Sequence, residues 1–195
     1  MKNKSRLKGQ FYIITALVLI LFMFYAHYNS RFEIPKSVDY SQEFFSSLKE
    51  EILRSASFAY YQGPYSSSVE NNVSVFLDFS TNVSNSQGQR MEAIVLVFLP
   101  IYSSYNVSVI NFLGAAADVN VTISGNEQNT TNLENKGSAR FVFTGVEQNA
   151  TVNVTYVKSG SKNSDVFNLT SRRLNAYADV KLISSSATWS DKVIG

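Results

Sequence analysis

Sixteen consecutive residues, Phe11 to Ala26 (FYIITALVLILFMFYA), contain a single polar side chain, Thr15, and follow four positive charges at Lys2, Lys4, Arg6 and Lys8. A helical Thr returns its hydroxyl to a carbonyl one turn back, so a helix here exposes no unsatisfied polar group. Extended through His27 and Tyr28, the helix is about 27 Å long at 1.5 Å per residue. That is just enough to span hydrocarbon. A core helix of a globular domain would not explain basic residues on one flank only. The positive-inside bias places Met1–Gly9 in the cytoplasm and the chain beyond Tyr28 outside. The expected localisation is therefore the cell membrane, single-pass, with the C-terminal domain extracellular and membrane lipid as a first partner.

A cleavable secretory signal has a similar basic start and apolar core. Its small-x-small cleavage pattern is poor here, because the residue two before Ala26 is Phe24. Lys8-Gly9-Gln10-Phe11 offers a cut before the run instead, at a Gly that follows basic residues. This start resembles that of type IV pilins and their relatives, in particular archaeal proteins with a class III signal peptide. The resemblance implies that a prepilin peptidase cuts between Gly9 and Gln10 on the cytoplasmic side. The helix from Phe11 would be kept, first as membrane anchor and then as packing core against like subunits. Two departures stand out. Ile14 occupies the position where many bacterial pilins carry Glu, and Pro35 would end or kink a long pilin helix.

The 195 residues accommodate one ordinary domain besides the anchor. After Gly9, 13 Lys and Arg face 15 Asp and Glu, a net charge of −2. No basic stripe suits a phosphate backbone, so nucleic acid is not an expected partner. Cysteine is absent and the only histidine is His27. Disulfides, thiolate zinc sites and lipobox lipidation are thereby excluded, along with the side chain that most often titrates near neutrality.

Five segments emerge: a basic leader (1–9), the transmembrane or assembly helix (10–28), a Pro-interrupted juxtamembrane break (29–36), an amphipathic helix (37–61) and a β-rich domain (66–195). Ser37 can cap the amphipathic helix, with Asp39 in its first turn. Phe45, Leu48, Ile52, Ala56 and Ala59 recur at helical spacing, and Glu50 and Arg54 form an i,i+4 pair on another side. A Gly63-Pro64 turn ends it. Val73, Val75, Leu77 and Phe79 alternate as a strand would, whereas Val69, Val73, Phe76 and Leu77 fit a helical face behind a Ser67-x-x-Glu70 capping box. A short helix is the favoured reading.

From Arg90 the pattern is β. Ala93–Leu99 (AIVLVFL) is a continuous apolar run, suited to a strand covered on both faces and stopped by Pro100. Shorter strands are expected at Val107–Phe112, Val119–Ser124, Arg140–Thr144, Thr151–Val157 and Asp179–Ile183, separated by polar turns such as GNEQNTTNLENKGS. The fold class is thus α+β, an antiparallel β-sandwich-like domain behind two N-terminal helices. Asn106–Gly125 (NVSVINFLGAAADVNVTISG) is also similar to small archaeal anchored β-domain proteins that have the same basic-Gly-Gln start. That likeness implies no catalytic residue.

Beyond the apolar run, Asn-x-Ser/Thr occurs at Asn72, Asn82, Asn106, Asn120, Asn129, Asn149, Asn153 and Asn168, all on the outer side of the predicted membrane. Strands with polar outward faces produce Asn-Val-Ser/Thr by themselves, yet such positions are also accessible to N-glycosylation. No metal-ligand spacing, phosphate loop or G-x-S-x-G elbow is present, so no cofactor and no enzymatic role are expected. The Tyr60, Tyr61, Tyr65 cluster can either pack a helix end on the sheet or bind a glycan or neighbouring subunit. Arg172-Arg173 fits a solvated turn. The chain reads as a pilin-like, membrane-anchored surface protein acting in assembly or adhesion. The alternative is an uncleaved single-pass protein whose ectodomain binds an envelope or polymer partner.

Overall fold

The helical spacing of Phe45, Leu48, Ile52, Ala56 and Ala59 is realised in α1 (Ser41–Gln62), where all five side chains are buried. The structure, a computed structural model, describes residues 41–62, 66–146, 149–170 and 173–195. They belong to one unit, Ser41–Gly195. The leader, the apolar run, Gly9, Gln10, Ser37, Asp39, the Gly63-Pro64 turn, Tyr65 and Arg172 lie outside the described residues.

A second helix, α2 (Ser66–Ser86), follows. It is longer than expected, because Ser80 and Ser84 extend the buried stripe of Val69, Val73 and Leu77. Hydroxyls can sit there because Ser80 donates to the Phe76 carbonyl at 2.9 Å and Ser84 to the Ser80 carbonyl at 2.8 Å. Small residues also let the helix approach the sheet closely. Glu70 does not serve the expected capping box. It accepts from Arg140 at 2.6 Å and from the Ser138 hydroxyl, fastening α2 to β5. Arg54 likewise departs from the expected Glu50 pair and binds Glu51 at 2.7 Å, one residue closer along the helix.

Among the described residues nine antiparallel strands follow: β1 Arg90–Ile101, β2 Ser104–Phe112, β3 Ala117–Ile123, β4 Asn126–Leu133, β5 Ser138–Thr144, β6 Thr151–Lys158, β7 Ser161–Asn168, β8 Asn175–Ile183 and β9 Thr188–Ile194. They form two sheets, ordered β5-β2-β1-β8-β9 and β4-β3-β6-β7. The helices cover the outer face of the first sheet and the second sheet covers its inner face. The alternation along β1 shows why its sequence is apolar throughout. Ile94, Leu96 and Phe98 enter the core between the sheets. Ala93, Val95, Val97 and Leu99 enter the core beneath the helices. Fully burying a side chain of this size stabilises by roughly 1.5–3 kcal/mol.

Two expectations are corrected. Pro100 does not stop β1, which continues to Ile101. The pairing with β8 ends at Phe98 and Asn175, so one side of β1 is an open edge at Pro100, where proline costs no ladder bond. In addition, β4 and β7 occupy stretches expected to be polar connections, and β9 lies beyond the last strand expected. Each is an edge strand held by backbone pairing. Leu133 is the buried residue of β4, Phe167 that of β7, and β9 buries none fully.

Asn111 ties the layers together at one end. Its buried amide donates to the Ala115 and Leu133 carbonyls at 2.9 and 2.8 Å, and its Oδ1 accepts from the Leu113 amide at 2.9 Å. The β3 and β4 ends are thereby held against β2.

Candidate functional site

The outer face of the second sheet is the one broad sheet face among the described residues that no other layer covers. Strand register shows what it carries. Asn120 on β3 lies opposite Asn129 on β4 and Thr155 on β6. Asn153 on β6 lies between Thr122 and Val166, and Asn168 on β7 lies opposite Thr151. Because side chains alternate along each strand, these four asparagines share the solvent face, while Val119, Val121, Val152 and Val154 point into the core.

The amides on this face are arranged in two ways. Asn120 donates to Glu127, which ties up its nitrogen. Asn153 instead accepts through Oδ1 from the Ser164 hydroxyl at 3.2 Å, and Asn168 accepts through Oδ1 from Thr151 at 3.0 Å. In both, the engaged atom is the oxygen, and the nitrogen is the atom that carries an N-linked glycan.

The other four sequons lie elsewhere. Asn149 is exposed just before β6. Asn82 is exposed on α2, and Asn72 on the same helix donates to the Ser68 carbonyl at 3.0 Å. Asn106 is half-buried on β2. Asn72 and Asn82 are therefore helical, not strand or loop positions. The Asn-Val-Ser triplets there belong to α2, whose polar outer face generates the same sequence as a strand would.

A charged cleft, unmarked by any sequence motif, lies where β1, β8 and β9 meet β6 and β7. Tyr156 donates to Asp179 at 2.7 Å and Tyr177 donates to Asp165 at 2.5 Å. Lys192 lies 2.6 Å from Asp165 and 4.0 Å from Asp179. Glu92, almost fully buried, is held by Arg90 at 2.9 Å and Lys158 at 2.7 Å. Burial raises the Asp179 carboxyl above its ordinary range, against the lowering effects of the Tyr156 hydrogen bond and of Lys192 and Lys181. Burial and the aspartate partners push both tyrosine hydroxyls far above their usual value, so they act as hydrogen-bond donors. These polar side chains converge as they would in a catalytic cleft, but they are bonded chiefly to one another. What they do chemically is join the open sides of the two sheets. On the opposite side, Gln128 of β4 reaches the Val142 carbonyl of β5 at 2.6 Å.

The residues of this cleft are scattered singly through 90–192, so sequence reading had only isolated charges to work with. Of the tyrosine cluster, Tyr60 packs partly against the helix-covered core, whereas Tyr61 stands exposed. Among the described residues no group of three His, Cys, Asp or Glu side chains could hold a metal ion, and no helix is long and apolar enough to cross a membrane. No protein-family model, curated protein or solved structure matches this chain.

Proposed function

We propose that the chain is a pilin-like surface protein, anchored in the membrane by the helix of residues 10–28 and oriented with Met1–Gly9 inside and the β-rich domain outside. Its role is structural or adhesive, and no catalytic step is assigned to it. The observation that carries this reading is the polar outer face of the second sheet, with Asn120, Asn129, Asn153 and Asn168 in register on it. A face of that kind tolerates bulky hydrophilic glycans without disturbing the core. Glycans would also shield the flanking edge strands β4 and β7 from pairing with other chains. The apolar run supplies the anchor, and the basic residues before it supply the orientation. Prepilin peptidase and like subunits are the partners implied by Gly9-Gln10.

The uncleaved single-pass alternative shares the orientation and the ectodomain. It is favoured by Ile14 and Pro35, which stand where an assembling pilin would carry Glu and a continuous helix. Glycopeptide mapping of protein taken from its own membranes tests the shared part of both readings. The expected result is occupancy of Asn153 and Asn168 and degradation of the domain by protease added to intact cells. Unmodified sequons together with full protection from that protease would contradict an exported domain.

A further inference from the structure

The end of the domain where α1 finishes carries aromatic side chains that the fold does not use. Tyr61 is 86% exposed and Phe58 60% exposed near the end of α1, and Tyr102 is 98% exposed in the turn between β1 and β2. By contrast, Tyr105, Tyr156 and Tyr177 are buried. Tyr102 also has a φ of 54°. A bulky residue in the left-handed region is disfavoured where Gly or Asn would be accommodated easily. The Tyr102 side chain makes no hydrogen bond to any described residue, so no contact within the domain calls for an aromatic ring there. The two-residue turn between the paired residues Ile101 and Ser104 imposes the positive φ, as the corresponding turns do at Ser124 and Ser159, so what the fold leaves unexplained is a Tyr there in place of Gly or Asn.

Two adjoining clefts meet at Tyr60. One, of about 500 Å³, lies between Tyr60, Pro100, Tyr102 and Ser103. The other, of about 530 Å³, lies between Tyr60, Tyr61, Ser57, Leu174 and Arg173. Their surfaces combine flat ring faces with hydroxyls, the pairing that suits a ligand whose own faces are apolar and whose rim is polar. Among the described residues Arg173 is the only charged one that lines either cleft, and no described carboxylate pairs with it. Guanidinium binds carboxylate or sulfate through two parallel hydrogen bonds.

We propose that this aromatic end binds an acidic polysaccharide, its sugar rings lying on Tyr60, Tyr61 and Tyr102 and one acidic group on Arg173. Other occupants fit less well. A stable interface with a second copy needs roughly 800 Å² on each partner and a continuous apolar centre, whereas these are two small clefts divided by Tyr60. A lipid surface would call for several basic residues, and the described lining of the two clefts holds one. The inference rests on the exported reading only for where the polymer is met, and the binding itself is measured without reference to topology.

The test uses the full chain in detergent, immobilised, with polygalacturonate and dextran sulfate as acidic probes and dextran as the neutral control. The expected result is binding of at least one acidic polymer more tightly than dextran. Tyr102→Gly should weaken that binding by about tenfold, the loss typical of removing one anchoring aromatic. The melting temperature should stay unchanged or rise, because glycine relieves the positive φ. Arg173→Gln should narrow the difference between acidic and neutral polymers. Failure of the folded protein to bind either acidic polymer would overturn the proposal, as would binding that both variants leave intact. So would Tyr102→Gly abolishing self-association or vesicle binding instead. A wrong topology would show separately, in the N-terminal mass and in protease accessibility.

Discussion

Asp179 is a buried carboxyl whose charge state bears on the stability of the fold. It sits 7% exposed between the two sheets, facing Tyr156 from β6, Asp165 from β7, Lys181 on its own strand and Lys192 from β9. Its pKa is raised in the folded state, so the folded protein holds this proton more tightly than the unfolded chain does. The associated stability is fully present below the unfolded value of about 4 and is lost as pH rises through the folded value. Asp191 behaves oppositely, because Lys49 lowers its pKa and its contribution disappears as pH falls. Comparison of Asp179→Asn with the parent cancels the Asp191 effect. The variant's advantage in denaturant midpoint, followed by Trp189 fluorescence, should be largest near neutral pH and shrink towards pH 4. A difference constant across that range would contradict the assignment. Asn111 tests a different kind of burial. Asn111→Ala strands the Ala115 and Leu133 carbonyls and should cost about 1–3 kcal/mol in the same assay; an unchanged midpoint would show that the layers do not depend on it.

At the scale of elements, legibility in the sequence follows burial. α1 was readable because five buried side chains repeat at helical spacing, and β1 because both its faces are covered. The helix at Ser66–Ser86 was ambiguous because its buried stripe ends in Ser80 and Ser84, which read as polar until their hydroxyls are seen to bond within the helix. Strands β4, β7 and β9 were unreadable for a further reason. An edge strand with an outward polar face needs few buried side chains, and its stability comes from backbone pairing that leaves little trace in residue type. β9 nevertheless protects β8, whose side chains are buried almost throughout. Ending the chain after Ser186 would expose the β8 edge and remove Lys192 from Asp165 and Asp179. The expected outcome is aggregation on size-exclusion chromatography. A monodisperse product with an unchanged melting temperature would show that β9 is dispensable.

For the whole molecule, the described residues form three layers: a helical hairpin, a five-stranded sheet and a four-stranded sheet. One side of this stack is an uncovered polar face, and one end carries unused aromatics. The sequons were visible in the sequence as triplets, but which of them share a face depends on strand register. The charged cleft depends on it too, since Glu92, Asp165, Asp179 and Lys192 are brought together only by the crossing of two sheets. The aromatic end was only half visible, because Tyr60 and Tyr61 lie far from Tyr102 and Arg173 in the chain. The basic-Gly-Gln start raises a different question, one of processing. The mass of the N-terminal peptide of membrane-extracted protein tests the pilin-like account most directly. The account predicts a mature chain beginning at Gln10. A chain still beginning at Met1 or Lys2 would contradict it in favour of an uncleaved single-pass anchor, and one beginning at His27 would show that the apolar run is removed altogether.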